Sequence, residues 1–299
     1  MNQFVSNFLK GMGIGSANVI PGVSGGTIAL LTGIFERLIN CLKSFNITAL
    51  QLFFKGKFKE LAKHIDFWFL VSVGLGVVVS IFTIAKLFEI WLDGYQSRIY
   101  LMCFFLGLVI ASIYFVGKTV KKWDWKSVLA FIVGACIAIT IFVLNYLKET
   151  NVSSAEMQNA EMSTNFIYVM VCGAIGICSM ILPGLSGSYV LLLMGVYDNI
   201  IVAVSNLDWA ILIPFAIGAV GGLLAFSHIL SWIFKRFPDI TIALLTGFIL
   251  GSLPVIYPWR DVVTNELVLP NPDIKLAISI VIALIGAAVI VLTEKMAQK

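Results

Sequence analysis

Two short stretches of this chain combine proline, glycine and serine in a pattern that suits the binding of an anion. They are PGVSGGT (residues 21–27) and PGLSGSY (residues 183–189). Proline ends a preceding helix, and serine can cap the helix that follows. The first N–H groups of a helix lack intrahelical partners and carry the positive end of its dipole, so accessible ones suit phosphate. The alternative is a tight turn that only permits close helix packing. The candidate binding residues are Pro21, Gly22, Ser24, Gly25, Gly26 and Thr27, with Pro183, Gly184, Ser186, Gly187, Ser188 and Tyr189.

Charged residues near these stretches provide further candidates. Arg37 can hold phosphate with two parallel hydrogen bonds, although its place also suits an interfacial positive charge. We expect coupling or gating roles for ionisable residues in or beside apolar segments, since such groups are costly in a membrane. These are Glu36 and Asp198 at matched places after the two stretches, and Lys86 and His228 at matched places in two long helices.

The same residues argue against an enzyme. The letters GVSGG fit the G-x-S-x-G pattern of serine hydrolases, but that motif needs a preceding strand and a histidine partner. No strand is evident, and the chain has only two histidines. The five cysteines lie in or beside apolar segments without metal-ligand spacing. We therefore predict no catalytic residue, no metal and no cofactor.

The elements that position the two stretches are membrane helices. Hydrophobic residues make up 60% of the 299 residues and charged residues only 12%. Apolar runs such as 67–84, 128–147 and 276–292 approach the length of about 20 residues that crosses a bilayer as a helix. These runs do not alternate apolar and polar residues, as the strands of a membrane barrel would.

The chain repeats itself. Pro21 aligns with Pro183 at an offset of 162, and similarity continues downstream at an offset of about 140. Internal duplication is common in transporters. We predict an all-α polytopic membrane protein of about ten helical segments, with two inverted repeats. The first repeat (1–150) has a hairpin over 4–43 and helices over 66–92, 97–117 and 127–147; the second (165–299) has a hairpin over 166–205 and helices over 208–234, 240–257 and 274–293.

Charge gives the orientation. If each hairpin enters and leaves on one side, three crossings per repeat remain. The connections on one side then hold fourteen Lys and Arg residues, and those on the other hold Arg98, Lys148, Arg260 and Lys275. This bias places both termini in the cytoplasm, and the odd number of crossings inverts the second repeat. Spanning hairpins would give the same parity, so re-entrant hairpins are favoured only because buried proline suits a protein-lined break.

The motifs resemble those of the bacterial polyprenyl-phosphate transporter family. The matching segments are PGVSGGTIALLTGIFERLI (21–39), PGLSGSYVLLLMGVYD (183–198), GLVIAS (107–112) and GFILGSLP (247–254). The resemblance implies re-entrant hairpins, arginines that act on phosphate, and return of undecaprenyl phosphate to the inner leaflet for envelope polymer synthesis. Arg37, within ERLI, matches the family motif best, whereas Arg98 and Arg260 match no motif.

The expected mechanism is alternating access. The phosphate would rest on the paired helix N-termini while the polyprenyl tail stays in the bilayer. A transporter of a small soluble anion such as sulfate or phosphate is the main alternative, and a lipid-phosphate enzyme is a weaker one. Membrane lipids are expected partners, nucleic acid is not, and a homo-oligomer is left open. The expected location is the bacterial cytoplasmic membrane.

Overall fold

The chain is built from α-helices. Its structure, a computed structural model, describes residues 3–19, 24–151, 165–260 and 266–297, without the side chains at 19, 84–93, 148–151 and 293–297. The first half contains α1 (Gln3–Val19), α2 (Gly25–Leu31), α3 (Phe35–Lys43), α4 (Ile47–Phe54), α5 (Phe58–His64), α6 (Phe67–Asp93), α7 (Tyr95–Thr119) and α8 (Trp125–Asn151). The second half contains α9 (Phe166–Ile181), α10 (Gly187–Leu193), α11 (Tyr197–Asn206), α12 (Trp209–Arg236), α13 (Pro238–Gly251), a 3-10 turn (Leu253–Ile256) and α14 (Ile274–Ala297).

The fold class is confirmed. Apart from a single β-bridge between Arg260 and Leu267, the described residues form no β-structure. Five helices are long and apolar enough to cross a membrane: α7, α8, α12, α14, and α13 together with the 3-10 turn. Large apolar side chains on these helices are exposed, for example Leu129 (51%) and Leu284 (64%). Because apolar surface of this extent suits lipid and not water, the chain is an all-α polytopic membrane protein.

Within the predicted hairpins over 4–43 and 166–205, the second arm of each is two short helices, α2 with α3 and α10 with α11. The bend between α2 and α3 is 112°, and that between α10 and α11 is 108°. Gly33 and Gly195 lie at these bends in the left-handed region, with φ of 71° and 70°. At both bends the N–H groups of the glycine and of the next residue turn back to the last helical carbonyls. This Schellman arrangement ends the helix and redirects the chain.

We call the segment between α1 and α2 (20–24) the first break and the segment between α9 and α10 (182–186) the second break. The helices that lead into these breaks, α1 and α9, pack through glycine. Gly11 of α1 lies so close to α6 that a β-carbon there would overlap the carbonyl oxygen of Val73. Gly173 of α9 approaches Phe215 of α12 in the same way. The two contacts are related by the offsets of 162 and 142 that align the two halves of the sequence. Small residues let membrane helices approach closely, and both halves use this contact at equivalent positions.

The remaining long helices join one half to the other. Gly247 of α13 lies against Phe131 of α8, and Gly251, one turn further on, lies against Ala135. Since both positions advance together, α8 and α13 run in the same direction. In the corresponding pair, α7 packs against α14, with Gly107 at the contact. Both of these helix pairs, α8 with α13 and α7 with α14, therefore join one half of the chain to the other.

Candidate functional site

The first break is capped from within the protein. Ser24 has an extended backbone conformation and caps α2, and its Oγ accepts a hydrogen bond from the N–H of Gly26 (3.2 Å). The N–H of Gly25 donates to Oδ1 of Asn18 (2.9 Å), and the N–H of Thr27 donates to the Ser24 carbonyl (3.0 Å). The first three donors of α2 are thus occupied, and Ser24 and Thr27 are buried. Two predicted residues, Pro21 and Gly22, lie outside the described residues.

The two breaks touch each other. The N–H of Gly184 donates to Oγ1 of Thr27 (3.2 Å), and Oγ of Ser24 lies 3.4 Å from the carbonyl oxygen of Leu182. Gly26 completes the contact, because a β-carbon there would lie only 2.7 Å from the carbonyl oxygen of Ile181. Stretches separated by about 160 residues in the sequence therefore form one polar contact inside the bundle.

The second break is less completely capped than the first. Ser186 makes no side-chain bond to the N-terminus of α10, and its Oγ instead bonds Oγ of Ser188 (2.8 Å). Met180 occupies the place of Asn18 and packs on Gly187 with a thioether side chain that cannot cap in the same way. Within the described part of the chain, the N–H groups of Gly187 and Ser188 have no hydrogen-bond partner.

The surroundings of the second break differ between its two ends. Pro183 is buried, and Gly184 has φ of 78°; a β-carbon on Gly184 would overlap the carbonyl oxygen of Phe248 in α13. Ser188, by contrast, is exposed, and Tyr189 is half-buried. The proline end is therefore held by packing. At the start of α10, Gly187 is buried, and accessibility begins at Ser188.

Arg37 lines a polar cleft at the other end of the first hairpin. Its Nε donates to Oδ2 of Asp66 (2.7 Å), and its guanidinium lies 4.2 Å from the ring centroid of Phe69. Asp66 has φ of 51°, an uncommon conformation for aspartate, and its carboxylate turns to Arg37 instead of capping α6. The cleft has a volume of about 420 Å³. Its lining residues are Gly33, Glu36, Arg37, Asn40, Cys41, His64 and Asp66.

The helix that carries Arg37 also binds the second half. Oγ of Ser231 in α12 donates to Oδ1 of Asn40 (2.9 Å), and Nζ of Lys43 lies 3.4 Å from that same serine oxygen. Phe35 and Phe234 add an aromatic contact with ring centroids 5.9 Å apart. The first hairpin is therefore attached to α12 as well as to the second break.

The candidate coupling residues are dispersed. Glu36 is exposed beside the Arg37 cleft, and Asp198 is exposed at the start of α11. His228 is half-buried in α12, where its Nδ1 lies 2.8 Å from the Leu224 carbonyl, so this nitrogen carries the proton. The side chain of Lys86 lies outside the described residues. The hydrogen bonds of the described residues join neither Asp198 nor His228 to a break.

Two other observations bear on the candidate chemistry. In the described ranges, His, Cys, Asp and Glu form no group of three that could hold a metal ion. Arg260, which matches no motif, is buried with its guanidinium 5.2 Å from the Phe142 ring centroid, and Nη2 donates to the Pro254 carbonyl. These two contacts link α8 to the 3-10 turn.

The sequence pointed to the breaks but not to two residues that complete them. Asn18 caps Gly25 across a helix break, and Asp66 pairs with Arg37 from 29 positions away. Asn18 is a good capping residue shortly before a glycine pair, which was a usable signal. Asp66 had no such signal, because its role depends on how the basic connection folds back.

A bundle of membrane-crossing helices in which two broken helices meet defines a membrane transport protein. Comparison with known proteins gives the particular family. A family model described as VCA0040-like, undecaprenyl phosphate translocase-like, matches residues 14–269, and the chain belongs to this family.

Two relatives are similar over most of this chain. A polyprenyl-phosphate transporter of Vibrio cholerae is 38% identical over 259 residues, which cover 87% of this chain and 79% of the relative. A polyprenyl-phosphate transporter of Staphylococcus aureus is 30% identical over 297 residues, which cover 96% and 95% of the two chains. No solved structure matches the chain at a significant level.

Proposed function

We propose that this chain translocates undecaprenyl phosphate across the bacterial cytoplasmic membrane and returns it to the inner leaflet for envelope polymer synthesis. The observation that carries the proposal is the contact of the two breaks at Thr27 and Gly184, beside a helix start with unpaired N–H groups. Membership of an undecaprenyl phosphate translocase-like family and two relatives named polyprenyl-phosphate transporters supply the substrate class.

The phosphate binds first at the second break. Gly187 and Ser188 offer backbone N–H groups there, and Ser186 and Ser188 add hydroxyl groups at a short mutual distance of 2.8 Å. A charge that crosses the hydrocarbon without partners costs several kcal/mol or more, so donors at this depth lower the barrier. The first break, whose donors are occupied by Asn18 and Ser24, forms the opposing wall.

The arrangement of the halves supports a mechanism of alternating access. The parallel course of α8 and α13 is what an inverted second repeat requires, since the same helix order would otherwise place them antiparallel. Rocking of one half against the other exposes the contact between the breaks to each leaflet in turn. In this proposal the termini lie in the cytoplasm and the hairpins are re-entrant. The buried Pro183 supports re-entrant hairpins, because a break in a membrane helix is tolerated where protein lines it.

A flux assay with purified protein in vesicles tests the proposal. Undecaprenyl phosphate is placed in one leaflet, and its arrival in the other is followed with and without a pH gradient. Protein-dependent transfer that excess sulfate or inorganic phosphate does not inhibit is expected. Transfer of those soluble anions in place of the lipid would overturn the proposal in favour of a soluble-anion transporter.

A further inference from the structure

A second cleft lies beside the Arg37 cleft and has the opposite character. Its volume is about 900 Å³, and its surface is mostly apolar. One wall comes from α4, with Ala49, Leu50 and Phe53, and the facing wall comes from α12, with Leu224 and Ala225. An apolar cleft bounded by two helices is suited to a hydrocarbon chain, which loses its contact with water or headgroups by entering it.

The two clefts meet at one side-chain pair. Nε2 of His64, which lines the polar cleft, lies 3.3 Å from Oδ1 of Asn46, which lines the apolar cleft. Beyond α5, Ile65 lines the apolar cleft and Asp66 lines the polar one. Three consecutive residues, 64 to 66, therefore form part of the boundary between a polar and an apolar space.

The polar end retains capacity for a phosphate. Asp66 accepts a hydrogen bond from Nε of Arg37 and holds the guanidinium over Phe69. The Nη groups make no hydrogen bond to the described residues. Glu36 also lines this cleft, but it is exposed to solvent. A guanidinium oriented by one carboxylate can still present its outer edge to a phosphate in a two-point contact.

The location suits a lipid at the membrane interface. The end of α4, the connection to α5 and the start of α5 carry three lysines and two exposed phenylalanines: Lys55, Lys57 and Lys59, with Phe54 (77% exposed) and Phe58 (61%). Exposed aromatic residues interleaved with lysines favour the boundary between headgroups and acyl chains, and the lysine excess assigns this boundary to the cytoplasmic face.

We infer that the two clefts together form one site for a polyprenyl phosphate at the cytoplasmic face, with the phosphate on Arg37 and the hydrocarbon chain between α4 and α12. This inference rests on the proposed function and adds the site from which the lipid enters the inner leaflet. The occupant is a single-chain isoprenoid phosphate, because its phosphate monoester fits the guanidinium edge and its chain fits the apolar cleft.

Photo-crosslinking locates the chain. The full protein, in vesicles of phosphatidylethanolamine and phosphatidylglycerol, is irradiated with a polyprenyl phosphate that carries a diazirine on its first isoprene units. Labels are expected on α4 and on α12 near Leu224, and unlabelled undecaprenyl phosphate should remove them. Absence of labels from these two positions, or labels there that phosphatidic acid removes equally well, would overturn the inference.

A matched pair of variants tests the cleft in transport. Ala225→Trp fills the cleft, whereas Ala216→Trp adds the same indole to an exposed position of α12 outside it. Ala225→Trp should lower crosslinking and transport about tenfold, which is the loss expected when roughly two methylene groups of the lipid chain are no longer buried in the cleft. Ala216→Trp should behave as the unmodified chain, and both variants should retain its elution volume and thermal unfolding midpoint.

The outcomes separate this inference from the proposed function. If the unmodified chain moves no undecaprenyl phosphate, the proposed function fails. If the unmodified chain moves the lipid and Ala225→Trp moves it equally fast, only the cleft assignment fails. If Ala225→Trp is unstable, Leu50→Trp on the opposite wall, where Leu50 is 55% exposed, replaces it, with the same expected loss and the same overturning result.

Discussion

The first and second breaks share a sequence pattern, yet their helix starts are satisfied differently. In the first, Asn18 and Ser24 occupy the N–H groups of Gly25 and Gly26. In the second, Met180 stands at the place of Asn18, and Ser186 turns to Ser188 instead of the backbone. A repeated motif therefore marks where the chain breaks, while the residues around it decide which break has donors available for a ligand.

The helices that follow the breaks differ as well. Ile39 of α3 is fully buried, whereas Ile201, its counterpart at the offset of 162 in α11, is 49% exposed. The α3 side is attached to α12 through Asn40 and Ser231. Unequal burial of equivalent residues is what the proposed alternating cycle would require at one end, because the two halves would exchange environments during it.

The largest expected effect concerns backbone shape at the contact between the breaks. Gly184 and Gly33 both have positive φ, but only Gly184 faces backbone, at the Phe248 carbonyl, while a β-carbon at Gly33 meets open space. Gly33→Ala should cost about 1 kcal/mol for the conformation alone, and Gly184→Ala about 3 kcal/mol once overlap is added. Thermal unfolding in detergent measures both. Equal losses would show that the second break is not tightly held.

The next effect concerns a residue that only the first half has. Arg37 corresponds to Asn199 in the second half. Arg37→Lys keeps the charge but removes the fork that bonds Asp66 and faces the cleft, so transport of undecaprenyl phosphate should fall by about tenfold or more. Arg236→Lys, at the exposed end of α12, is the control and should transport normally. Normal transport by Arg37→Lys would exclude a phosphate contact that needs the guanidinium.

Some of this arrangement could be predicted from the sequence. The glycine and proline pattern located both breaks, and its duplication predicted that they act together, because repeated elements pack through equivalent faces. The bends at Gly33 and Gly195 were also accessible, since glycine commonly ends a helix in this way. The occupied N–H groups at the start of α2 could not be predicted, because the Asn18 hydrogen bond depends on the path of the chain across a break. The Arg37–Asp66 pair could not be predicted either, because it depends on the fold of α4 and α5.

A smaller effect is expected from exchanging the caps. Met180→Asn places an amide where it can accept from the N–H of Gly187, as Asn18 does from Gly25. An added cap should raise stability by about 1 kcal/mol and compete with phosphate, so transport should slow severalfold. Asn18→Met is the reverse change and should lower stability by a similar amount, about 1 kcal/mol. Unchanged transport by a stabilised Met180→Asn variant would remove the start of α10 as the phosphate site.

The smallest effect concerns the attachment of α3 to α12. Ser231→Ala removes the hydrogen bond to Asn40 and should reduce the free energy of unfolding by about 1 kcal/mol. Ser205→Ala removes a hydroxyl from an exposed position of α11 and should change stability by less than about 0.5 kcal/mol. If α3 must separate from α12 during transport, Ser231→Ala should also speed that separation, because the hydrogen bond is present only while the two helices are together. A variant that is less stable and transports more slowly would show instead that the α3–α12 contact persists throughout the cycle. The movement between the halves would then take place at other helix contacts.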